Sequence, residues 1–354
     1  MLLTNGLLCA HRCAVDPLLS TAGGYNEIEI HDHFYMRILL FGATGTIGQA
    51  TCRALLEAGH EVVCFARRKS DSQETFQPLA EFRFGDVMSL ESLKRNGFKD
   101  GHFDGVVSCM ASRTGAPKDA WAVDYQAHSH ILQLAKESGV TQFVLLSAIC
   151  VQKPLLAFQQ AKLAFEKELM ASGLVYSIVR PTAFFKSLSG QIKRLQQNKP
   201  FLLFGDGRLT ACKPISDHDL GEFIAQCLTD ASMQNRILPI GGPGEPITPL
   251  QQGEYLFNAL GKPPAYKHVP VGFLDLIIQV LSFLGWFIPP LADKAELARI
   301  GRYYATESML VWDTQAQRYD AKATPSHGSQ TLFSYYDQLL AGQQSVHLGD
   351  HSVF

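Results

Sequence analysis

The run Ile38-Leu-Leu-Phe-Gly42-Ala-Thr-Gly45-Thr-Ile-Gly48 constrains the fold more than any other part of this 354-residue chain. Four apolar residues before a glycine read as a buried strand, and the residues after Gly45 open an amphipathic helix at about 46–58. Glycines between a strand and a helix let the backbone turn tightly and approach a pyrophosphate, which the helix N-terminus receives with free amides and the positive end of its dipole. A glycine pattern alone is weak evidence. Here it heads a repeating order of short apolar strands, at 37–41, 61–66, 81–85, 104–109, 142–147 and 174–179, with further helices at about 119–138 and 156–171. Such alternation predicts an α/β fold: a Rossmann-type, doubly wound parallel sheet covered on both faces. Gly42, Thr44, Gly45, Thr46, Ile47 and Gly48 are the candidate pyrophosphate-binding residues.

The end of the second strand selects the cofactor. An NAD enzyme usually has an acid there for the ribose hydroxyls. This chain has Arg67-Arg68-Lys69, and guanidinium groups suit a ribose phosphate. NADPH is therefore the expected cofactor. Asp86, in Gly85-Asp86-Val87, lies where such folds meet the adenine, or is a simple turn residue.

The segment Leu145 to Lys162 carries the chemistry. Ser147 ends an apolar strand, and Lys162 lies one helical turn after Phe158, on the same side of the helix. A carbonyl reductase would place a tyrosine at position 158. Reducing a carbonyl produces an alkoxide, which needs an acid nearby. A phenyl ring supplies none. Reduction of an alkene conjugated to a large π system spreads its charge into the substrate, so Phe158 is compatible with that reaction, and also with no catalysis. Lys162 and Ser147 are the candidate catalytic residues, with Phe158 marking the missing acid. Pro181 and Thr182 close the cofactor set, where the sixth strand ends. Phe184, Phe185, Lys186, Arg208 and Lys213 are candidate substrate contacts: two aromatic faces, for which core packing is the equal alternative, and three cations for a carboxylate, each otherwise an ordinary surface charge.

Beyond Arg180-Pro181 the alternation fades. Phe201–Phe204 and Leu209–Ile215 read as a hairpin around Gly205-Asp206-Gly207, with a helix at 217–228 and a late strand at 236–241 returning to the sheet. The Rossmann core is read as 36–181, and a smaller, mainly C-terminal substrate-binding lobe as 182–235 with 246–345, before a tail at 346–354. Residues 272–288 are almost wholly apolar. They read as a buried helix, with a membrane-surface helix or the wall of an apolar pocket as alternatives.

Composition excludes several classes. A net charge of −2 offers no basic field for nucleic acid. Eight scattered cysteines, without a CxxC pair, read as free thiols in a reducing compartment. No histidine spacing suggests a metal site, so no protein metal is expected. Residues 1–35 lack a signal-peptide pattern, and Glu27, Glu29 and Asp32 argue against an organelle transit peptide. Met36 is read as the natural start, 1–35 as a disordered or over-called extension, and the location as cytoplasmic, with peripheral membrane contact through 272–288.

GATGTIG, the basic loop, LLSAICVQKPLLAFQQAKLAFE, SIVRPTAFFKSLSGQ and PFLLFGDGRLTACKPIS together resemble the divinyl chlorophyllide a 8-vinyl-reductases, which are atypical short-chain dehydrogenases/reductases. The resemblance runs from about residue 36 to beyond 320, and the segments 145–166 and 178–216 are its most specific parts. It implies NADPH-dependent reduction of an 8-vinyl group to ethyl on a chlorophyllide-type tetrapyrrole that brings its own magnesium. Gly42, Gly45 and Gly48 would take the glycine-loop role, Arg67 and Arg68 the phosphate role, and Lys162 the lysine role. Phe158 departs from the wider superfamily and leaves the proton donor unassigned. A reductase of aromatic ethers or quinones and a non-catalytic NADP sensor or scaffold are the alternatives.

Overall fold

The computed structural model describes residues 35–67, 79–99 and 101–343. The expected N-terminal extension (apart from Tyr35), Arg68, Lys69 and the tail at 346–354 lie outside them. In chain order the strands are β1 (Arg37–Phe41), β2 (Glu61–Ala66), β3 (Glu81–Phe84), β4 (Gly105–Ser108), β5 (Gln142–Leu146), β6 (Val175–Pro181), β7 (Phe201–Phe204), β8 (Arg236–Ile240), β9 (Tyr266–Val269), β10 (Val311–Asp313) and β11 (Arg318–Asp320). The main helices are α1 (Thr46–Glu57), α2 (Leu90–Ser92, continued by a π turn), and α3, made of Pro117–Ala120, a π segment Trp121–Ala127, and His128–Glu137. They continue with α4 (Ala157–Met170), α5 (Phe185–Leu188), α6 (Ile192–Gln196), α7 (Asp217–Gln226), α8 (Pro249–Ala259), α9 (Val271–Gly285), α10 (Pro289–Thr306) and α11 (Leu332–Leu340).

Seven strands form one parallel sheet in the order β3-β2-β1-β4-β5-β6-β8. Strand residues alternate between two cores because successive side chains point to opposite faces. Ile38 and Leu40 join one apolar cluster, Leu39 and Phe41 the other. The strand order reverses between β1 and β4. That point opens a crevice at the carboxyl ends of the strands, where ligands of open α/β sheets bind. The returning strand expected at 236–241 is β8, paired with β6 through Ile178 and Ile237.

The expected hairpin does not form. β7 pairs with β9 in parallel, and the residues after the Gly205-Asp206-Gly207 turn bridge elsewhere, Cys212 to Ile247 and Met309. Burial gives the reason. Phe201 and Leu203 join a cluster with Leu256, Phe257 and Tyr336, drawn from segments far along the chain, and a local hairpin would leave that surface uncovered. Sheet and outer clusters belong to one compact unit, Phe34–Phe354.

The reading of 272–288 as a buried helix is also overturned. None of the side chains of α9 is buried. It packs against α10, tied by Arg302 to Asp275 and by Arg299 to the Ser282 hydroxyl at 2.6 Å. Phe273, Leu276, Val280 and Phe283 stay exposed, and Trp286 beyond the helix is 86% exposed. Among the described residues, no helix is long and apolar enough to cross a membrane.

Candidate active site

The glycine loop leaves β1 where β4 also ends. Gly42 has φ +80°, and a Cβ there would lie 2.7 Å from the Cys109 carbonyl carbon, so only glycine fits between the two strand ends. A Cβ on Gly48 would sit 2.0 Å from the Gly42 oxygen. Gly45 differs. Its nearest protein atom would be the Gly42 oxygen at 3.4 Å, an ordinary contact. The fold itself leaves room for a side chain at 45. Gly45 is also the N-cap of α1, with no side-chain cap and no acid in the first turn. The first amides of α1 are thus left for an anion. Lys186 brings a positive charge to the same place, donating to Thr46 Oγ1 at 3.1 Å. Thr44 is exposed and Ile47 is buried beneath the turn.

Arg67 is exposed at the end of β2. Asp86 is exposed and forms a local turn, its Oδ1 accepting from the Met88 amide at 2.9 Å. The strands that carry them, β2 and β3, lie on the same side of β1.

Lys162 lies on the inward face of α4, with Phe158, Ala161, Phe165, Glu166 and Leu169. It is 9% exposed, and its Nζ stands 3.0 Å from Asp124 Oδ1 on the π segment of α3. The Ser112 amide, in the loop after β4, donates to the same oxygen at 3.1 Å. One turn on, His128 has Nδ1 at 2.8 Å from the Val123 carbonyl and Nε2 at 2.8 Å from Ser108 Oγ. Burial, and then the Lys162 charge, lower its pKa to about 4. The imidazole is therefore neutral at pH 7, donating from Nδ1 and accepting the Ser108 hydroxyl at Nε2.

Phe158 packs with Ile149, Leu156 and Tyr303. The Tyr303 hydroxyl is bound to the Cys150 carbonyl at 2.8 Å, and burial raises its pKa further.

Several expected site residues are occupied elsewhere. Ser147 donates to Glu166 Oε1 at 2.5 Å, and Glu166 is also clamped by the Arg180 guanidinium. A serine on a buried carboxylate is held in the packing between α4 and β6. Phe185 is buried against Tyr335, with ring centroids 5.3 Å apart, and Phe184 packs under the sheet end. Lys213 Nζ donates to the Thr324 carbonyl at 3.2 Å, and Thr182 donates to the Lys213 carbonyl. Pro181 pairs with Ile240 inside the sheet. Arg208 is exposed. A cleft of about 280 Å³, lined by Thr46, Arg53, Asp217, His218 and Tyr335 among others, takes no wall from β4, β5 or α4.

The sequence reading missed Asp124, Glu166 and Arg180. A signal was present for two of them. Glu166 falls four residues after Lys162 on the apolar face of α4, and Arg180 interrupts an apolar strand. Asp124 gave none, because nothing local tells which turn of a helix faces a distant lysine.

A family model described as NAD(P)H-binding matches residues 42–231, so the cofactor fold belongs to that family. A chloroplastic divinyl chlorophyllide a 8-vinyl-reductase from Cucumis sativus is 48% identical over 332 residues, covering 90% of this chain and 79% of the relative. This chain belongs to the divinyl chlorophyllide a 8-vinyl-reductase family. The chloroplastic enzyme of the same name from Oryza sativa subsp. indica is 47% identical and covers 90% of this chain and 82% of its own. Among solved structures, the leucoanthocyanidin reductase–NADPH complex from Vitis vinifera superposes with a TM-score of 0.64 at 17% identity, over 86% of this chain and 99% of that one, a likeness of fold. The cytoplasmic location expected from the sequence is overturned, because these family members are chloroplastic. Free thiols suit any reducing compartment and cannot tell one such compartment from another.

Proposed function

We propose that this chain reduces the 8-vinyl group of divinyl chlorophyllide a to ethyl, with NADPH as reductant, and does so in a plastid. The observation that carries the reading is family membership joined to a site that keeps Lys162 and has Phe158 where a hydroxyl acid would stand. When bound, NADPH supplies the hydride. The uncapped amides of α1, the open approach at Gly45, and Lys186 hold its pyrophosphate. Arg67, joined by Arg68, takes the ribose phosphate, and Asp86 borders the adenine. Lys162 orients the nicotinamide ribose from the opposite end of the crevice. Phe158 keeps that wall apolar against the macrocycle, whose π system takes up the charge left by hydride addition. Among the substrate candidates, exposed Arg208 is the cation available for the carboxylate tail, while Phe185 and Lys213 serve the packing. The exposed aromatic face of α9 and Trp286 suits contact with a membrane surface from which an apolar substrate is drawn.

Anaerobic incubation with NADPH and divinyl chlorophyllide tests the reaction. The expected result is a blue shift of the Soret band and an 8-ethyl product on chromatography. Folded protein that binds NADPH and gives no such product overturns the reading in favour of a sensor or another reductase. Arg67→Glu should weaken NADPH more than NADH. An equal loss for both removes the phosphate assignment.

A further inference from the structure

We propose that Asp124 is the positioning residue of this active site, fixing the Lys162 ammonium at the crevice; this rests on the role given to Lys162 above. Lysine has four rotatable side-chain bonds and, when ordered, loses about 1.5–2 kcal/mol of rotamer freedom. Something must hold it if it is to meet a cofactor in one place. Asp124 is the anion that does so among the described residues: Oδ1 lies 3.0 Å from Nζ, and the Asp124 side chain is fully enclosed. The carboxylate is itself held. Its Oδ1 also accepts the Ser112 amide, so it ties the π segment to the loop after β4.

Three features separate this pair from an ordinary packing contact. A buried ion pair contributes little net stability, because desolvation offsets its attraction, so stability alone gives it weak justification. Asp124 lies in a π segment, Trp121–Ala127, flanked by regular helix, and such local widenings occur often at functional sites. Its second oxygen, Oδ2, is buried with no hydrogen-bond partner among the described residues, a costly state for a group whose only task is structural. The neighbouring His128 is neutral and supplies no competing charge.

The test is a double-mutant cycle on the full chain with NADPH and divinyl chlorophyllide. Asp124→Asn keeps the shape and removes the charge, and Lys162→Met removes the partner. Asp124→Asn is expected to lower kcat about 100-fold, the scale of a misplaced catalytic group, with the substrate KM little changed. Added to Lys162→Met, it should cost nothing more. Asp124→Asn at the wild-type kcat, with Lys162→Met inactive, overturns the proposal and leaves the Lys162 role standing. Lys162→Met at the wild-type kcat removes that role and the proposal with it. A further loss in the double variant means that Asp124 acts independently of Lys162, and also overturns it. If Asp124→Asn does not fold, Asp124→Glu is measured instead: it keeps the charge on a longer arm and should lose kcat through displacement alone, whereas full activity counts against positioning.

Discussion

Helices α4 and α9 reverse the usual association of apolar with inside. α4 carries Lys162 and Glu166 on its buried face, whereas α9 is almost entirely apolar and buries no side chain. The difference lies in what each helix faces. α4 meets α3 and β6, which offer Asp124 and Arg180, so its charges are enclosed with partners. α9 packs on α10 and leaves Phe273, Leu276, Val280 and Phe283 exposed. Burial of a charge is decided by whether a counter-charge is placed to receive it, and burial of an apolar surface by whether another surface covers it.

The largest expected effect comes from breaking the enclosed side. Glu166→Ala leaves Arg180 without its carboxylate and Ser147 without its acceptor, and should cost about 3–5 kcal/mol in urea unfolding, the range for one partner of a buried pair. A loss below about 1 kcal/mol would mean that the α4 network is solvated and the contrast with α9 is weaker than drawn.

Asp217, at the start of α7, is an intermediate case: a carboxyl enclosed without a matched partner. Burial raises it from 3.8 to about 6, against the opposing pull of Lys186. A carboxyl with a raised folded pKa favours the folded state fully below its unfolded value and loses that contribution as pH rises through the folded one. Asp217→Asn should therefore stabilise the protein by about 1–2 kcal/mol at pH 8 and leave it unchanged near pH 4. Urea titrations at the two pH values measure the difference, and an equal effect at both would show that Asp217 is not held as an enclosed acid.

The smallest effect on stability belongs to α9. Phe283→Gln should shift unfolding by no more than about 0.5 kcal/mol, as for a surface site, while reducing co-sedimentation with vesicles of anionic and neutral lipid. Strong destabilisation would mean that another surface covers Phe283, and unchanged vesicle binding would remove the membrane contact.

Much of this was legible in the residues. Gly42 and Gly48 announce the turn because part of their requirement is local: the positive φ of Gly42 and the close approach of Gly48 to the Gly42 carbonyl; the approach of Gly42 to Cys109 is tertiary. Phe158 and Lys162 announce a shared helix face because their spacing is four. The contacts of Ser147, Phe185 and Lys213 were not legible, since each meets a group distant in sequence: Glu166, Tyr335 and the Thr324 carbonyl. The β7–β9 pairing and the exposure of α9 escaped for the same reason.

The sequence by itself determined the alternating strands and helices, the glycine turn, the basic end of β2 and the absence of an acid at 158, because strand period, helix period and backbone sterics act over a few residues. Only the tertiary structure decided that Asp124 meets Lys162, that Glu166 holds Ser147 and Arg180, and that the most apolar helix lies outside. Those outcomes depend on which surfaces meet after the sheet is assembled, and pairing between distant groups leaves no period in the chain.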